Sequence, residues 1–199
     1  MRYPREHKQR ARRSLLEHGG RHAKKHGFAA SGMDAIAAAA GVTTGSLYKH
    51  FDGKSGLFAA VVRAELERMA AMYGATPADD PQHVARAGTS YLSMQHVSHP
   101  EQGCALPSLT PEIARADAKV REAFQNGLLG IHGNLRKLTG SRDSAWALIA
   151  QNVGAVMLAR AMADEKIQRE LLAAARREAR ALLHASTKRP PAGPPGPGE

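Results

Sequence analysis

Residues 31–58, SGMDAIAAAAGVTTGSLYKHFDGKSGLF, constrain the fold of this chain more than any other segment. An alanine-rich apolar run ends at Gly41, and Val42 leads into a polar stretch carrying Thr43, Thr44, Ser46, Tyr48, Lys49 and His50 before Phe51 closes it. Two short helices that cross closely need a small residue at the crossing and a turn residue tolerant of positive φ. Ala37 and Gly41 supply these. Val42 and Leu47 then anchor the second helix, which leaves hydroxyls, a tyrosine and a lysine at the turn and on the outer face. Such groups bond phosphates, and those nearest the helix start reach base edges in a major groove. The segment reads as a helix-turn-helix, with a new helix beginning near Lys54.

The charge distribution agrees. The net charge is +10, and residues 1–54 hold 11 Lys/Arg against 4 Asp/Glu, while residues 55–199 hold 17 against 14. A densely negative partner would meet the N-terminal quarter. A solvated basic surface is the ordinary explanation of a lone charge run, but this one adjoins the helix-turn-helix. Arg2, Arg5, Lys8, Arg10, Arg12 and Arg13 form a basic arm or first turn suited to backbone or minor-groove contact, which makes binding salt-dependent.

The rest of the chain shows no repeat and no alternating β-branched run, and the pattern predicts an all-α protein of about nine helices. These cover about 4–26, 33–40, 44–50, 53–73, 82–97, 103–110, 112–138, 142–163 and 165–185. Gly27 stops the first, Ser141 caps the eighth, and Pro107 and Pro111 interrupt the sixth. The implied domains are a helix-turn-helix head over 1–52, a helical effector-binding and dimerisation body over 53–185, and a disordered Pro/Gly-rich tail over 186–199. No run of about 18 apolar residues suggests a membrane span, and no apolar segment follows the basic N-terminus as a secretory signal would require. One cysteine, Cys104, excludes an internal disulfide framework and fits a reducing cytoplasm.

The pattern IA…AGV..GSLY.HF..K..LF, over about Gly27–Val62, resembles the DNA-binding head of the tetracycline-repressor (TetR-type) family of bacterial transcription regulators. One departure is Gly56, where a helix former would usually follow the Lys-Ser pair. The resemblance implies a homodimer that reads palindromic double-stranded operator DNA, with half-sites roughly 34–36 Å apart, and is released by a small hydrophobic effector bound in the body. Repression is the usual outcome in the family. The implied DNA contacts are Thr43, Thr44, Ser46, Tyr48, Lys49 and His50, with Ser31 and Lys54 as phosphate partners.

The last two helices carry apolar stripes, Trp146, Ile149, Ala150, Val153, Gly154 and Met157 on one and Leu171, Leu172, Ala175, Ala179, Leu182 and Leu183 on the other. Stripes of this kind pair two subunits as a four-helix bundle, unless both face only the intrachain core. Tyr91, Met94, Gln95, Cys104, Leu109, Phe124, Leu128, His132, Trp146 and Asn152 mix apolar surface with few polar groups and are candidate effector-pocket residues, although ordinary core is the commoner role of such side chains.

Cys104 reads either as a small buried hydrophobe or as a thiol activated at the start of a short helix. The surrounding Gly-Cys-Ala-Leu resembles electrophile- and oxidant-sensing members of the family, which implies a thiol-sensing repressor as an alternative. His96, His99 and Cys104 lack a recognised metal spacing, and His18, His22 and His26 read better as a basic face than as a metal row. No cofactor is expected. No phosphate-binding loop, metalloprotease motif or nucleophile elbow points to an enzyme. A DNA-packaging protein would explain the basic N-terminus but not the long apolar body.

Overall fold

The computed structural model describes residues 5–184, without the side chains of 5–8, 11 and 184. Among the described residues there are ten α-helices and no strand. They are α1 (Arg5–His26), α2 (Met33–Ala39), α3 (Thr44–His50), α4 (Gly53–Gly74), α5 (Pro81–Ser90), α6 (Met94–Ser98), α7 (Leu106–Ile113), α8 (Ala118–Thr139), α9 (Arg142–Ala161) and α10 (Glu165–His184). No described helix is long and apolar enough to cross a membrane. Arg2 and the 186–199 tail lie outside the described residues, as do the side chains of Arg5 and Lys8.

The first three helices close on a small core of Leu15, Ala23, Ile36, Ala37 and Leu47. Gly41 takes φ 68° at the turn, a left-handed conformation that L side chains resist. The Val42 N–H then donates to the Ala37 carbonyl at 3.0 Å. Thr43 caps α3, its hydroxyl accepting the Ser46 N–H at 3.3 Å, which satisfies one of the amides a helix start leaves open. Phe28 stacks on Phe58 of α4 with ring centroids 4.1 Å apart, so the head's core runs on into the body.

α4 buries a residue on nearly every turn, from Leu57 through Val61, Leu66 and Met69 to Tyr73. It packs on α8 in the most extensive helix pairing of the chain. Gly127 makes that approach possible, because a Cβ there would lie 2.6 Å from the Leu66 Cβ. The Asn134 side-chain amide donates to the Ala70 carbonyl at 2.8 Å across the same seam. α9 and α10 fold back on one another and complete the body.

Three boundaries differ from the sequence reading. The helix expected over 82–97 is two, α5 and α6, broken at Tyr91–Ser93. Thr89 and Ser90 turn their hydroxyls back onto carbonyls of α5, and the Ser93 hydroxyl caps α6 by accepting the His96 N–H. Pro111 does not end the short helix: α7 runs on to Ile113. α8 starts at Ala118 rather than near 112, because Asp117 caps it by accepting the Val120 N–H at 3.1 Å.

Candidate nucleic-acid interface

α3 presents two faces. Leu47 is sealed in the core, whereas Tyr48 is 58% exposed and Lys49 lies beside it in solvent. An exposed tyrosine next to a lysine on a seven-residue helix contributes little to packing. Thr44 is half-buried, and its hydroxyl donates to the Asp34 carboxylate, which ties α3 to α2. Ser46 and His50 are half-buried on the flanks of the same helix, with the His50 ring 6.2 Å from that of Phe51. On α1, Arg10, Arg12 and Arg13 are exposed, and the Arg12 guanidinium sits 5.3 Å from the Phe51 ring, which brings the basic helix against the end of α3.

Two of the expected phosphate partners are otherwise engaged. Ser31 is 5% exposed and its hydroxyl donates to the Gly27 carbonyl at 2.6 Å, closing the turn after α1. The Lys54 ammonium donates to the Ala29 carbonyl at 2.8 Å and lies 5.8 Å from the Phe28 ring, so it braces the α1–α2 loop against α4.

The head is clamped to the body at further points. Lys24 is buried and donates both to the Glu65 carboxylate and to the Gly103 carbonyl, each at 2.9 Å. The Glu112 carboxylate accepts the backbone N–H groups of Phe28 and Ala29 at 3.2 and 2.6 Å. Ser55 hydrogen-bonds Asp117, joining α4 to the start of α8. None of these clamps was legible in the sequence, because each joins residues more than 40 positions apart.

The candidate pocket residues separate into two surfaces. Tyr91, Gln95 and Cys104 line a cavity of about 270 Å³ together with Met69, Met72 and His96. Phe124, Leu128 and Trp146 line another of about 500 Å³ with Ile113 and Leu129. Leu109 is fully buried core, and Met94 packs partly buried against it. His132 stacks on Trp146 at 4.1 Å and bonds the Arg142 carbonyl. Asn152 is buried and donates to the Gly88 carbonyl at 3.0 Å.

Cys104 is 2% exposed, and burial pushes its thiol up from the ordinary value. The Leu106 N–H points at its sulfur from 3.4 Å, but the helix start does not overcome desolvation, which favours the small buried hydrophobe over the activated thiol. His96 has no nitrogen left for a metal: one ring nitrogen bonds the Tyr91 carbonyl at 2.9 Å, and the other accepts the Cys104 N–H at 3.0 Å.

Residues 15–61 match the family described as bacterial regulatory proteins, tetR family. No curated protein matches the chain. Among solved structures, the reduced form of Escherichia coli NemR is similar at 22% identity and a TM-score of 0.64, covering 85% of this chain and 95% of that one. The regulatory protein TetR of Rhodobacter sphaeroides reaches 22% and 0.68, covering 86% and 98%. A TetR transcription regulator of Haloarcula marismortui reaches 19% and 0.68, covering 89% and 98%. At these identities the likeness is one of fold. The family match covers the helix-turn-helix head, and the rest of the chain shares the all-helical fold of these structures.

Proposed function

We propose that the chain is a ligand-responsive repressor that binds palindromic operator DNA as a homodimer and leaves it when a small hydrophobic effector enters the body. In this reading residues 1–52 are the DNA-binding head, 53–185 the effector and dimerisation body, and the protein acts on cytoplasmic DNA without being an enzyme. The observation that carries it is α3, which exposes Tyr48 and Lys49 on one side while Leu47 locks the other, beside the arginines of α1. Thr43, Thr44, Ser46 and His50 frame that surface. Lys54, whose ammonium keeps two N–H groups beyond its bond to the Ala29 carbonyl, joins them as a phosphate partner, as does Ser31 from the turn after α1.

Dimerisation is supported by apolar side chains left in solvent on the last two helices, Leu158 at 57% and Ile167 at 44% exposed. An α9–α10 four-helix bundle would cover them. The thiol-sensing alternative finds less support, because Cys104 is shielded and its burial favours the protonated thiol.

Selection of bound DNA from a random pool tests the reading. A regulator enriches an inverted repeat with half-sites roughly one helical turn apart. Equal affinity for all sequences would make the chain a packaging protein instead.

A further inference from the structure

The cavity between α4 and the 91–104 segment contains a polar group without a strong partner. Tyr91 is 8% exposed, and its hydroxyl finds no well-formed hydrogen bond, only the neighbouring Cys104 sulfur, a weak acceptor. A buried hydroxyl left unsatisfied is costly, and such groups persist where something else completes them. Cys104 lines the same cavity, while Met69 and Met72 give it an apolar, adaptable wall.

Of the other polar groups nearby, His96 is fully committed and Arg160 in part, its Nε being without a partner among the described residues. His96 spends both ring nitrogens on backbone, and burial holds its pKa below the ordinary value. Its Nδ1 must carry the proton, since the Tyr91 carbonyl can only accept, and its Nε2 must be bare to accept the Cys104 N–H. The terminal nitrogens of Arg160 donate to two neutral acceptors, the Ser108 hydroxyl and the His96 carbonyl, at 2.9 and 2.7 Å. Burial, then the neighbouring Cys104 thiol, keeps the Tyr91 phenol protonated against the positive charge of Arg160. What this cavity offers a ligand is therefore a hydrogen-bond donor.

We propose that this cavity is the effector site, and that it takes a small, largely apolar compound whose carbonyl-type acceptor receives the Tyr91 hydroxyl. A volume of about 270 Å³ suits a molecule of one or two rings. The effector role rests on the reading of the chain as a ligand-responsive regulator, whereas the binding chemistry does not. The cavity wall also connects to the head: Gly103 lines it, and its carbonyl is held by Lys24 of α1. A ligand that displaces the 103–104 segment pulls on the helix that packs against the helix-turn-helix.

Acedan, a naphthyl methyl ketone whose fluorescence reports polarity and hydrogen bonding, is the probe. It binds the full chain saturably with blue-shifted emission, and it slows alkylation of Cys104, the one thiol present, by iodoacetamide. Tyr91→Phe weakens that binding about tenfold, the size expected for one hydrogen bond. Because the hydroxyl has no strong partner to lose and the ring keeps its edge contact with His96, the variant folds as the parent does. Equal affinity in the two proteins, no saturable binding, or binding that leaves Cys104 alkylation unchanged would overturn the site. Tyr91-dependent binding that fails to alter affinity for the selected DNA would overturn the effector role and leave the site standing. Failure of the chain to select any DNA counts against the regulator reading instead.

Discussion

His96 is held between two backbone groups, one that can only accept and one that can only donate. Protonation at Nε2 would set two donors against each other at the Cys104 amide, and burial adds to the cost, so the folded pKa lies below the ordinary value of about 6.5. The unfolded chain then binds a proton that the folded chain refuses, and stability is lost as pH falls below about 6.5. His22 on α1, half-buried, shifts the same way through desolvation and the neighbouring His26. Thermal melts from pH 7 to 5 should show the midpoint falling, with a shallower fall in His96→Gln. Identical slopes would mean that the ring is not held neutral. Single residues also carry local contacts that the motif does not announce: Ser31 and Lys54, the expected phosphate partners, bond carbonyls at Gly27 and Ala29.

At the level of helices, the head was legible because its determinants lie within thirty contiguous residues. Ala37, Gly41, Val42 and Leu47 set the turn and the crossing by local geometry alone. The body was legible as helices but not as packing. Helical spacing identifies an apolar face without naming its partner, so the pocket candidates divide between two cavities and the core. Gly127 illustrates the gap. Nothing in its neighbourhood announces a close crossing, yet a Cβ there would meet the Leu66 Cβ at 2.6 Å. Both atoms belong to helices pressed together at their backbones, so relief requires α4 and α8 to separate. Gly127→Ala should cost about 1–3 kcal/mol in urea unfolding despite the better helix propensity of alanine. A neutral or stabilising effect would show that the α4–α8 seam is looser than described.

Across the whole molecule, the clamps at Lys24 and Glu112 join the small basic head to the body through α1 and the α1–α2 loop. In the proposed reading, a change at the 103–104 segment reaches the head without any wire of specialised residues, since α1 itself is the connection. Its functional meaning depends on α3 being the surface that meets DNA. The most direct measurement is an anisotropy titration of the selected DNA across a range of salt concentrations, comparing the parent with Tyr48→Ala/Lys49→Ala. Both side chains are exposed and bear on no core, so the variant should fold normally. Affinity should fall tenfold or more, and the slope of log K against log salt should shrink by about 0.9 for each phosphate that is no longer neutralised. Unchanged affinity and an unchanged slope would contradict the account.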